Sequence, residues 1–146
     1  MTLDAFDADV LIYAAVPGHK LGRRVASLLG EAPLEPDGPA RGVGSVLLLP
    51  ELLSRPLRDG ATEEVDALLA ILARLALHPL DEATARLAVA LGASYGLRAA
   101  DATHLATAVS IGANRFVTNN RRDFPSSISE IDVTYPDALP DPSGHG

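Results

Sequence analysis

The acidic residues Asp7, Asp9, Glu51, Asp101 and Asp123 each fall at or beside the end of a predicted element. Carboxylates scattered along a chain mean little. Carboxylates brought by a fold to one crevice supply hard oxygen ligands for Mg2+ or Mn2+, ions that take few direct carboxylates and keep several waters. A cation held there lowers the pKa of bound water and neutralises charge on a phosphodiester under attack. Cysteine is absent, which excludes disulfides, a thiol nucleophile and Cys-ligated zinc or iron–sulfur centres.

The formal net charge of −7 argues against gripping nucleic acid by phosphate neutralisation alone. A divalent cation among clustered acids weakens that objection, because it cancels part of their charge and itself attracts phosphate. Basic residues group at Lys20, Arg23 and Arg24, at Arg55 and Arg58, and at Arg121 and Arg122, although any one group reads first as a solvated face. The longest apolar stretches, Val46 to Leu49 and Leu68 to Leu77, fall short of a membrane span. Met1 to Asp4 has neither the basic nor the apolar region of a signal peptide, so a cytoplasmic location is the expectation.

The elements that must position the acids follow from periodicity and breakers. With 146 residues, one compact domain is expected. Thr2 to Asp7 reads as a strand, Val10 to Ala15 as a helical turn, and His19 to Leu29 as an amphipathic helix ended by Gly30. Glu31 to Gly44, with three prolines and three glycines, reads as a loop. Val43 to Val46 suits a strand and Leu47 to Leu57 a helix that tolerates Pro50 in its first turn. A longer helix begins at Thr62, its apolar stripe running through Leu68, Leu72, Leu75 and Ala76. His78 to Leu80 suits a brief strand or extended link, and Asp81 can cap a helix running to about Ser94. Ala99 to Ile111 is a helix, Arg115 to Thr118 a strand and Ile131 to Tyr135 an edge strand. Pro136 to Gly146 reads as a disordered tail.

Alternating strands and helices predict an α/β fold: one domain with a central, mainly parallel sheet of four to five strands flanked by helices. Sites in such folds form at the carboxyl ends of the strands, where Asp7 and Thr118 both fall.

Three segments carry a resemblance. Ala5 to Ala15 (AFDADVLIYAA) resembles the opening strand and helix of PIN domains, with Asp7 in the catalytic place. Ser45 to Leu53 (SVLLLPELL) is similar to the second motif of that family, a serine followed six residues later by a glutamate, here Glu51. Leu97 to Phe124 resembles the third motif and the following strand of VapC-like toxins, with Asp101 as the third acid. The resemblance spans about Phe6 to Tyr135 and implies a PIN-like nuclease domain over residues 1–135. It also implies a metal-dependent endoribonuclease, a homodimer and a small antitoxin partner. Many relatives carry an aspartate where Asn120 stands, and Asp123 is the substitute candidate.

Each residue also has a plainer reading. Asp7 can be a cap, Asp9 the cap of the first helix, and Glu51 and Asp101 acids at helix starts. Asp123 can form a turn. His104, three residues after Asp101, reads as packed or hydrogen-bonded rather than as a ligand. Thr118, Asn119 and Asn120 either hold water or substrate phosphate or form the turn after their strand. The candidate catalytic acids are Asp7, Glu51, Asp101 and Asp123. Asp7 and Asp101 hold Mg2+ or Mn2+, with Asp9, Thr118 and Asn120 in support. Two alternatives remain: a PIN-like module that binds RNA or protein without cutting, and a haloacid-dehalogenase-like phosphatase suggested by Asp7-Ala8-Asp9. The phosphatase needs a later lysine, yet Lys20 is the only one in the chain.

Overall fold

In the computed structural model, which describes residues 2–142, five parallel strands form one sheet in the order β3-β2-β1-β4-β5. The strands are β1 (Asp4–Phe6), β2 (Gly42–Ser45), β3 (Leu75–His78), β4 (Arg115–Val117) and β5 (Asp132–Thr134). Six helices connect them: α1 (Ala8–Ala15), α2 (Lys20–Leu29), α3 (Leu48–Arg58), α4 (Thr62–Leu72), α5 (Glu82–Tyr95) and α6 (Ala99–Ile111). The α/β class, the parallel pairing and the upper strand number thus agree with expectation.

Period-two alternation divides the core into two layers. Ala5 and Phe116 point to one face, where they pack with Leu91, Leu105 and Phe124. Their neighbours Phe6 and Val117 point to the other, among Val10, Leu11, Val25, Leu48 and Leu68. The sheet therefore lies between α5–α6 and α1–α4, which is why its strands need apolar side chains on both faces. Register between β1 and β4 is fixed at its amino end by a forked ion pair. Arg115 donates from Nε and Nη2 to the two carboxylate oxygens of buried Asp4, at 2.7 and 3.0 Å.

The chain order places a switch point beside β1. After β1 it builds β2 and then β3 on one side, and later crosses to β4 on the other. The crevice at the carboxyl ends of β1 and β4 is where a doubly wound fold binds ligands.

Several boundaries differ from the sequence reading. The fourth helix stops at Leu72, and Leu75 and Ala76 belong to β3. A continuous apolar run fits both a helix face and a two-sided strand, and pairing of Val43 with Ala76 and Gly44 with Leu77 decides it. Gly42, assigned to the loop, opens β2, one residue before the expected strand start at Val43. A Cβ at Gly42 would come within 2.5 Å of the Phe6 ring, so only glycine lets this strand approach β1. Pro56 lies inside α3, two residues from its end, where the missing N–H costs one bond of the last turn. The expected disordered tail instead begins with a 3-10 turn at Pro136–Ala138 and buries Leu139, whose carbonyl accepts from Arg24 at 2.6 Å. Residues 143–146 of that tail lie outside the described residues. No helix among the described residues is long and apolar enough to cross a membrane.

Candidate active site

Asp7 is the first residue after β1 and the N-cap of α1. Its Oδ1 accepts from the Ala8 N–H at 2.8 Å and its Oδ2 from Thr118 Oγ1 at 2.7 Å. The cap is therefore Asp7 and not Asp9. Thr118, fully buried at the end of β4, also accepts from the Asn120 N–H at 3.1 Å, so one hydroxyl links the turn after β4 to the carboxylate after β1. Burial is the largest influence on Asp7 and raises its pKa above the ordinary aspartate value. The Thr118 bond, the His104 imidazole and the Ala8 N–H oppose this, and the Glu51 charge adds to it.

Asp9 sits in the first turn of α1. Its Oδ2 accepts from the Asn119 N–H at 3.1 Å, while Oδ1 is buried without a hydrogen-bond partner. Burial, and then the Asp7 charge, push its pKa up to about 6. Asn119 in turn donates from its amide to the Tyr13 hydroxyl at 3.3 Å, and Tyr13 stacks on His19 with ring centroids 4.5 Å apart.

Asp101 lies in the first turn of α6. Burial raises its pKa, and the charges of Asp7, Asp123 and Glu51 raise it further while His104 lowers it. Asp101 thus feels the charges of Asp7, Asp123 and Glu51, and Asp7 that of Glu51, at the carboxyl end of the sheet. Glu51, in the first turn of α3, meets His104 of α6, Oε1 to Nε2 at 3.0 Å. The turn into α3 is shaped by Ser45, whose Oγ accepts from the Leu47 N–H.

Asn120 and Asp123 clasp each other. Asn120 Nδ2 donates to Asp123 Oδ2 at 2.9 Å, and the Asp123 N–H donates to Asn120 Oδ1 at 3.2 Å. Asp123 thus takes part in the turn and still adds its charge to the acid neighbourhood. Asn120 braces that turn, and its backbone carbonyl accepts from the Phe124 N–H. His104 is packed and hydrogen-bonded, as its sequence context indicated, but its partner Glu51 and the contact of Tyr13 with Asn119 were not found from sequence. Residues 53 apart, as Glu51 and His104 are, carry no pairing signal in a single chain.

The donor set consists of carboxylates whose charges are costly to hold together, together with one buried, unpartnered carboxylate oxygen on Asp9. That chemistry fits a hard divalent cation. Among the described residues no three acidic or histidine side chains are gathered tightly enough to enclose an ion.

The PIN domain family model matches residues 5–126. No curated protein sequence is significantly similar to the chain. Among solved structures, the fold is similar to a chain of a toxin–antitoxin complex from Klebsiella pneumoniae (TM-score 0.70, 21% identity). It is also similar to one of VapBC2 from Rickettsia felis bound to a DNA fragment from their promoter (TM-score 0.65, 16% identity). Each alignment covers 92% of this chain and 98% of the other. At these identities the likeness is one of fold, and the family match over most of the chain carries the assignment: this protein belongs to the PIN domain family.

Proposed function

We propose that the protein is a metal-dependent endoribonuclease and the toxin of a toxin–antitoxin pair. The observation that carries this reading is the placement of buried Asp7, held by Thr118 at the switch point of a PIN fold, near Asp101, which feels the charges of Asp7, Asp123 and Glu51. Asp7 and Asp101 would hold Mg2+ or Mn2+, with Glu51 and Asp123 completing the negative field around it. When bound, the cation lowers the pKa of a coordinated water and neutralises charge on the scissile phosphate. Thr118 favours the ionised form of Asp7 against its burial, and aims it, by donating to it. Asn119 and the Asn120–Asp123 clasp form the rim across which an RNA strand lies. Hydrolysis in line at phosphorus leaves a 5′-phosphate and a 3′-hydroxyl.

The toxin assignment is supported by the two fold neighbours, both taken from complexes that contain an antitoxin. Uncompensated acids give a basic side chain of a partner a physical reason to enter the groove. A homodimer and a cytoplasmic location belong to the same reading. Sequencing RNA ends after induced expression, beside native purification with the product of the neighbouring reading frame, tests both parts. New 5′-phosphate ends and a stable complex are expected. Unchanged RNA ends would overturn the nuclease, and absence of a complex would overturn the toxin label alone.

One observation favours a module that binds without cutting: Asn120 stands where many relatives carry a charge, and its amide is spent on Asp123. The retention of Asp7, Glu51 and Asp101, whose charges are unfavourable together without a cation, weighs against it.

A further inference from the structure

His104 lies one helical turn after Asp101 on α6 and is almost wholly buried, its side chain 1% exposed. Glu51 is 34% exposed, on the first turn of α3. A 3.0 Å bond joins His104 Nε2 to Glu51 Oε1 and so ties α6 to α3 at this end of the sheet. A carboxylate only accepts, so Nε2 carries the hydrogen. The Nδ1 atom, buried without a partner, is then left as a lone pair rather than as an unmet donor. Without the bond, the glutamate would regain rotamer freedom at an exposed helix start.

We propose that His104 is a positioning residue that holds the Glu51 carboxylate beside Asp101 and Asp7, keeping it within the acid set. This rests on the nuclease reading. The ring itself binds no ion in this account. It acts through Glu51, whose charge is felt by both aspartates. Groups that orient acids around a cation commonly change its affinity 10- to 100-fold when removed, about the size expected here.

The test is a double-variant cycle read by calorimetric Mn2+ titration. His104→Leu fills a similar space without the donor and should weaken Mn2+ binding about 10-fold. His104→Gln, which keeps an N–H donor, should recover most of that loss. In a Glu51→Gln background, His104→Leu should change affinity less than about 2-fold, because the group through which it acts has lost its charge. Undiminished affinity in His104→Leu, or an equal loss in the Glu51→Gln background, overturns the proposal. Should His104→Leu fail to fold, nitrogen NMR of the metal-free wild type decides it: an Nε2–H tautomer whose signal shifts in Glu51→Gln is expected, and an Nδ1–H tautomer overturns it. A wild type that binds Mn2+ but cuts no RNA defeats the nuclease reading while leaving this result intact.

Discussion

Thr118 Oγ1 donates to Asp7 Oδ2 at 2.7 Å, joining the ends of the two strands that flank the switch point. Both residues are buried, so Thr118→Val leaves a carboxylate oxygen without its donor in nearly unchanged space. That omission should cost about 1–3 kcal/mol of stability. It should also raise the Asp7 pKa further and weaken Mn2+ binding more at acid than at neutral pH. Thermal unfolding and titration of the variant at two pH values check this; wild-type behaviour in both would show that the bond is idle.

The metal-free protein should lose stability as pH rises. Asp9 is raised to about 6 in the folded state from 3.8, so between these values the folded chain holds more protons than the unfolded one. The sign is therefore negative: the burden is absent below about pH 4 and complete above the folded value. Asp9→Asn should be more stable than wild type by about 1–2 kcal/mol at pH 7.5, a figure reduced for partial exposure, and should match it near pH 4. Thermal unfolding in a chelator across that range measures the difference. A difference independent of pH would contradict the cause given.

The Asn120–Asp123 clasp makes two substitutions oppose each other. Asn120→Asp sets a second carboxylate against one now 2.9 Å from an amide donor, so the metal-free fold should weaken while Mn2+ stabilises it more than it does wild type. Asp123→Asn removes a charge that raises the Asp101 pKa, and it should weaken Mn2+ affinity with partial recovery of cleavage at high Mn2+. Unchanged affinity in Asp123→Asn would remove Asp123 from the site.

How far the sequence foretold these relationships differs by residue. Helix α6 runs from Ala99 to Ile111 as its pattern and Gly112 indicated, and Gly112 adopts φ +80°, a left-handed end that glycine reaches freely. The acids could be placed at helix and strand ends because such ends are marked by local chemistry. What a local pattern cannot hold is a contact across the chain. The Asp4–Arg115 fork, the Glu51–His104 bond and the seating of Leu139 beside Arg24 all join residues more than fifty positions apart. Strand β3 was expected at His78 to Leu80 and spans Leu75–His78 for another reason: Leu75 and Ala76 continue the apolar stripe of α4, and only pairing with β2 shows where the helix stops.

The most direct measurement is the rate of RNA cleavage by purified wild type and Asp7→Asn, each with Mn2+ and with chelator, beside their unfolding temperatures. Wild type should cut only with the ion. Asp7→Asn should lose at least about 100-fold in rate while unfolding at the same or a higher temperature, because removing one of several crowded charges relieves the metal-free fold. Full cleavage by Asp7→Asn, or cleavage by wild type that persists in chelator, would contradict the account.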